Sequence, residues 1–202
     1  MSMITLALFS ALATFYFTMF ITPGPNNTML TLSGLKFGFF KTLPHALGIP
    51  LGHILQIGLT CFGLGKLFLI YPQIQFFMKI LCFFYLLYLG WKMMGSFELI
   101  EKNVTGRPLK FYEASLFQFI NPKAWSIAIA VASGFFPTEE NIIVGILFVT
   151  ITAAVICFPS ICVWALFGSE LKKYISNFKA KKYIEYSLAL MVVSTAFFIL
   201  FK

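Results

Sequence analysis

The chain has 202 residues, 59% hydrophobic and 11% charged, whereas an ordinary soluble domain carries about a quarter charged residues; a soluble single domain is excluded. Lys and Arg together number 15, His two, and the seven acidic residues are all Glu, so aspartate-dependent catalysis and most carboxylate-rich metal cages fall away. The net charge of +8 is that of a membrane protein whose lysines gather in loops beside anionic lipid, with the bilayer rather than nucleic acid as partner.

Helix spans of about 20 residues each place about 120 residues in lipid for six helices. Apolar segments cover residues 3–37 (interrupted near 22–27), 42–65, 72–94, 113–136, 142–168 and 183–201. No Lys or Arg precedes the first segment and no small-residue cleavage site follows it. Met3 to Ile21 therefore reads as a retained span rather than a signal peptide.

The first segment is broken by Thr22-Pro23-Gly24-Pro25-Asn26-Asn27-Thr28. Its prolines remove two backbone donors and clash with carbonyls one turn back, while Gly24 relaxes the backbone. Pro25 suits the first position of a new half-helix reaching about Gly38, capped by Gly24. Bare amide groups at such an end favour an anion, for instance a substrate carboxylate. Asn26, Asn27 and Thr28 add polar side chains that are expected to bind the same carboxylate. A plainer reading also stands: the break turns the chain at the end of span 1 and headgroups wet the asparagines.

Span 2 opens Thr42-Leu43-Pro44-His45-Ala46-Leu47-Gly48-Ile49-Pro50-Leu51-Gly52-His53, a packing helix first, since Gly48 and Gly52 form a small-xxx-small face. His45 and His53 lie eight residues apart, roughly 12 Å along a helix and about 80° around it, too far to share a metal. Each is a candidate proton relay, with His45 also suited to the interface. Span 3 carries Lys79 and ends in Tyr85-Leu86-Leu87-Tyr88-Leu89-Gly90-Trp91-Lys92, an interfacial belt. Span 4 is broken at Asn121-Pro122-Lys123; Lys123 either snorkels or serves the site. Span 5 holds Pro159, Ser160 and Trp164, read as kink and packing. Cys61, Cys82, Cys157 and Cys162 lie in apolar runs without metal spacing, and nothing calls for a metal or cofactor.

Lys36 and Lys41, then Lys92, Lys102, Arg107 and Lys110, then Lys172, Lys173, Lys179, Lys181 and Lys182 mark alternate loops. Of the intervening loops, one has Lys66 only at its edge and the other holds Glu139 and Glu140. The positive-inside rule places the Lys-rich loops in the cytoplasm and both termini in the periplasm. The sequon Asn103-Val104-Thr105 falls in a cytoplasmic loop and carries no further reading.

Two three-helix units in tandem must insert upside down relative to each other. The expected fold is all-α: a polytopic membrane protein of six helices, two inverted three-helix repeats with helices 1 and 4 broken. It forms one transporter domain over 1–202, with halves at about 1–94 and 113–202 and a cytoplasmic linker at 95–112. Corresponding interrupted helices point to a secondary transporter's binding site: Pro23, Gly24, Pro25, Asn26, Asn27, Thr28, Asn121, Pro122 and Lys123. Freed carbonyls near Met19, Ile21 and Gln118, or the face of Tyr16, are the expected seat of a substrate ammonium.

In sequence the chain resembles the LysE/RhtB family of amino-acid exporters. The resemblance rests on Thr22-Pro23-Gly24-Pro25-Asn26-Asn27, Gly48 and Gly52, Tyr88-Leu89-Gly90-Trp91-Lys92, Phe119-Ile120-Asn121-Pro122-Lys123-Ala124 and Trp164-Ala165-Leu166-Phe167-Gly168, in order along nearly the whole chain. It implies an inner-membrane protein, a homodimer, that expels amino acids or close derivatives on the membrane energy gradient. Ala114 stands where the family often has glycine, and His45 is unusual. The acidic residue many members carry in span 5 is absent from Val155-Ile156-Cys157-Phe158-Pro159, which counts against a carboxylate proton relay and a basic substrate. Pro159, Ser160 and Trp164 look closer to members handling small neutral amino acids such as cysteine, O-acetylserine, threonine or leucine. Two alternatives compete: an intramembrane enzyme, for which Thr31-Leu32-Ser33-Gly34 lacks the first glycine of a Gly-x-Ser-Gly nucleophile, and an assembly partner that transports nothing.

Overall fold

In a computed structural model, residues 4–64, 70–93, 106–137, 140–171 and 178–201 are described, and every regular element among them is helical. The expected linker up to residue 105, with Lys102 and the sequon, lies outside the described residues, as do Lys66, Glu139, Lys172 and Lys173.

Helix α1 (Leu6–Ile21) starts where the Thr5 hydroxyl accepts the Leu8 N–H at 3.1 Å, a side-chain cap for an otherwise orphan donor. It ends ahead of the two prolines, and α2 (Pro25–Phe37) leaves at a 54° bend. Gly38, at φ 85°, makes the turn into α3 (Phe39–Leu59), a left-handed conformation that favours glycine. Helix α3 carries Pro44 and Pro50 and runs on into a π-helical turn at Thr60–Leu64. Helix α4 covers Pro72–Met93. Helix α5 (Phe111–Phe117) passes through a 3₁₀ turn at Gln118–Ile120 to the second break, after which α6 covers Pro122–Gly134. The long α7 (Ile142–Leu171) continues through Pro159, and α8 covers Phe178–Phe201.

Each apolar segment thus corresponds to a helix or a broken helix pair. By length and apolarity, Phe39–Gly63 and α7 qualify as membrane spans, and α1 with α2 forms a third if the bent pair is one span. The second break divides the fourth segment into helices of 7 and 13 residues, α5 and α6.

The packing is crossed. Helices α1 and α2 lie against α7, α5 and α6 lie against α3, and α4 pairs with α8. Glycine allows the closest approaches. A Cβ on Gly34 would collide with the Ala165 carbonyl oxygen, one on Gly168 with the Thr31 carbonyl oxygen, and one on Gly48 with the Phe111 carbonyl oxygen. At Gly52 it would stand 2.5 Å from the Ser115 carbonyl oxygen and from Gln118 Cγ. The small face read in span 2 is therefore a backbone-to-backbone seam with α5. A core including Leu12, Tyr16, Leu30, Ile49, Ile127 and Ile161 joins the crossed helices, and a second, around Leu35, Cys82, Leu86 and Val192, joins α4 to α8. Phe40, Phe84, Ile151 and Leu190 stand exposed on the outside, as suits a lipid-facing surface.

Candidate functional site

The first break strands the carbonyls at the end of α1, and side chains take them up. The Asn27 amide donates to Phe20 O at 2.8 Å and to Thr22 O at 2.7 Å. The Thr22 hydroxyl donates to Met19 O at 3.0 Å. From α7, the Trp164 indole N–H reaches Ile21 O at 3.1 Å.

The second break is built in a parallel way. The Asn121 side chain caps α6 by accepting the Lys123 N–H at 3.1 Å, and the Trp125 indole donates to Phe119 O at 2.9 Å. Gln56 of α3 donates to Gln118 O at 3.0 Å. The carbonyls of Met19, Ile21 and Gln118, expected to meet an ammonium, thus already accept protein donors. Tyr16 is wholly buried, its hydroxyl donating to Val149 O at 2.9 Å.

The two breaks then meet. Lys123 Nζ donates to Thr22 O and Thr22 Oγ1, each at 2.9 Å, and to Pro23 O at 3.2 Å. Asn26 and Gln118 exchange amide bonds: Asn26 Nδ2 donates to Gln118 Oε1 at 2.8 Å, and Gln118 Nε2 donates to Asn26 Oδ1 at 3.1 Å. Ala114 O accepts the other Gln118 N–H at 2.8 Å, which fixes which way that amide faces.

Between them lies a cavity of about 20 Å³, room for about one water, lined by Met19, Phe20, Gly24, Pro25, Asn26, Asn27, His53, Asn121, Lys123, Ala124, Ile127 and Ile161. No carboxylate is among the lining residues. Two half-helix amino-terminal ends and the Lys123 ammonium bring positive potential to it, and the low polarity around them strengthens their pull on an anion.

Of the residues read from sequence, Gly24, Pro25, Asn26, Asn27, Asn121, Lys123 and His53 line this cavity. Pro23 contributes its carbonyl to Lys123 from beside it. Pro122 starts α6 without lining it. Thr28 is buried and also stands off it, its hydroxyl oxygen without a hydrogen-bond partner among the described residues. The histidines separate: both are buried and both lack a partner at Nδ1 among the described residues, but only His53 lines the cavity, edge-on to Phe20 with ring centroids 5.0 Å apart. Ser33 is buried with its hydroxyl 2.9 Å from that of Thr42, a packing contact.

Sequence reading missed the side chains of Gln56, Gln118, Trp125 and Trp164 as parts of the breaks. The available signal was the two glutamines inside apolar segments, where an amide needs an internal partner. Away from the cavity, at the linker end of α5, the Arg107 guanidinium reaches Glu113 at 2.6 Å and the Lys110 N–H donates to the same carboxylate at 2.8 Å. Arg107 first, then the Lys110 N–H, hold that carboxyl well below the ordinary carboxylate range, at about 2.

The family described as LysE type translocator matches residues 17–202. The chain is similar to the cysteine/O-acetylserine efflux protein of Salmonella choleraesuis strain SC-B67, 28% identical over 191 residues, 94% of this chain and 95% of the relative. It is also similar to the cysteine/O-acetylserine efflux protein of Escherichia coli strain K12, 26% identical over 196 residues, 96% of this chain and 99% of the relative. No solved structure matches.

Proposed function

Because this chain belongs to the LysE type translocator family and is a transporter, not an enzyme, we propose that it exports small neutral amino acids or close derivatives across the bacterial inner membrane by alternating access. The names of the Salmonella and Escherichia relatives favour cargo of the size of cysteine or O-acetylserine. The acid-free lining of the cavity argues in the same direction, since a basic side chain would face Lys123 with no counter-charge.

The observation that carries the reading is the meeting of the two helix breaks, one from each half, on a single cavity. Lys123 and the bare amides at the start of α2 receive the cargo's carboxylate. Lys123 with Thr22 and Pro23, Asn26 with Gln118, and Gln56 with the Gln118 carbonyl all join one half to the other. These are the bonds that rocking of the halves must break and remake. The crossed packing supports two related halves: exchanging the first and fourth, second and fifth, and third and sixth segments turns the pairing of first with fifth into that of fourth with second and carries the third–sixth pairing onto itself, while the α2–α3 pairing lacks such a counterpart. At about 20 Å³ the cavity is closed to an amino acid, so cargo entry requires the halves to part. His53, in the cavity wall, is the relay through which a proton would be coupled; His45 lies off that route. The exporter acts as a homodimer with both termini in the periplasm.

The test is efflux from cells loaded with cysteine or O-acetylserine. An Asn26→Ala variant that reaches the membrane in normal amount loses at least tenfold in initial rate; wild-type efflux from that variant refutes the site.

A further inference from the structure

Asn27 offers a different chemistry from its neighbours. Its amide nitrogen spends both N–H groups, on Phe20 O at 2.8 Å and Thr22 O at 2.7 Å. Both partners are carbonyls and can only accept, so the nitrogen must face them and the amide orientation has no alternative. What Asn27 has left is its side-chain oxygen, an acceptor with no donor among the described residues. The residue is 3% exposed and lines the cavity.

Thr22 O also accepts from Lys123 Nζ at 2.9 Å, so one carbonyl holds the Asn27 amide and the Lys123 ammonium side by side. The first presents only an acceptor; the second, whose three N–H groups bond Thr22 O, Thr22 Oγ1 and Pro23 O while the halves are closed, presents only donors once the halves part. An α-amino acid presents the complementary pair, ammonium beside carboxylate.

We propose that Asn27 is a specificity-determining residue whose side-chain oxygen accepts the cargo's α-ammonium while Lys123 takes the carboxylate, so that the cavity requires a free amine. The sequence assigned Asn27 to the carboxylate; its hydrogen-bond inventory assigns it to the other end of the molecule. This rests on the exporter reading of the same cavity and adds the amine requirement to it. A neutral oxygen suffices because the cargo's own carboxylate offsets much of the ammonium charge, and a desolvated acceptor left empty by an analogue costs heavily.

The experiment uses the full-length protein in proteoliposomes and compares uptake of L-cysteine, N-acetyl-L-cysteine, 3-mercaptopropionate and L-cysteine methyl ester under reducing conditions. Wild type should carry L-cysteine at least tenfold faster than the two compounds without a free amine, and Asn27→Ala should bring that ratio close to one. Asn27→Asp, which sets a negative charge beside Lys123, should shift preference towards the methyl ester. Wild type that carries N-acetyl-L-cysteine or 3-mercaptopropionate as fast as L-cysteine overturns the proposal, as does an Asn27→Ala protein with the wild-type ratio. Should both variants fail to insert, the wild-type ratios alone still overturn it if they lie near one. If the methyl ester is carried as well as L-cysteine by wild type, the carboxylate assignment to Lys123 falls and the amine requirement stands. Transport of none of the four overturns both.

Discussion

Substituting Gly168 by alanine tests whether α2 is held in place by direct backbone contact with α7. The added Cβ would collide with the Thr31 carbonyl oxygen and stand 2.8 Å from Thr31 C and 3.0 Å from Thr31 Cα. These are atoms of the opposing helix backbone, so no rotamer change relieves the overlap and the helices must separate. Overpacking of this kind costs about 1–3 kcal/mol, and a backbone obstacle puts this site at the upper end. Alanine also recovers about 1 kcal/mol of helix propensity over glycine. The overlap wins by about 2 kcal/mol, a factor of about 30 in the folded-to-unfolded ratio. Gly58→Ala is the control, because the nearest atom to its added Cβ is Ile146 Cγ2 at 4.0 Å and the propensity gain acts alone. Thermal unfolding of detergent-purified protein should rank Gly58→Ala at or above wild type and Gly168→Ala clearly below it. Efflux by Gly168→Ala should fall as well, since α2 carries Asn26 and Asn27 and the separation pulls Trp164 from Ile21 O. A Gly168→Ala protein as stable as wild type refutes the claim that the backbones touch there.

Lys123→Met should remove efflux and Lys123→Arg should retain part of it, since the arginine keeps the charge but not the three-acceptor geometry; equal initial rates in the two variants would dismiss the charge as the reason. Trp164→Phe leaves Ile21 O without its indole donor, and the half-buried acceptor should cost about 1 kcal/mol, read as a lower unfolding temperature in detergent; an unchanged temperature refutes the bond's role. Glu113, with its carboxyl held down at about 2 by Arg107 and the Lys110 N–H, stabilises the fold when ionised. That contribution is complete above the ordinary carboxylate value of about 4.3 and disappears as pH falls from there towards 2. The stability difference between wild type and Glu113→Gln should shrink across that window, and a difference that stays constant on acidification contradicts the assignment.

The breaks were legible because proline and glycine act locally: Pro23 and Pro25 lack the donors a helix needs whatever surrounds them, and so does Pro122. The seam at Gly48 and Gly52 was legible for a similar reason, a spacing of one helical turn. The parts that escaped are long-range. Gln118 read only as a residue with a freed carbonyl, because its bond to Asn26 spans 92 positions and depends on how α5 crosses α3. Trp164 looked like packing until α7 was seen to bring its indole to the end of α1. Asn27 read as a donor to the carboxylate because sequence shows that an amide has donors, not that both already meet Phe20 O and Thr22 O. Thr28 and His45 shared the composition of the site and not its location, since a helix turns away from a cavity within a residue or two.

The crossed packing sets an order on assembly as the chain emerges from the ribosome. Ile21 meets its indole partner only when Trp164, 143 positions later, has been synthesised, and Thr22 waits in the same way for Lys123. Until then Ile21 O lacks its indole donor, and the bend is held only by the local bonds from Asn27 and Thr22; the uncovered carbonyl must be sheltered by some other donor, such as water. A truncation that removes the last third of the chain therefore takes away the partner of a bend laid down at the start.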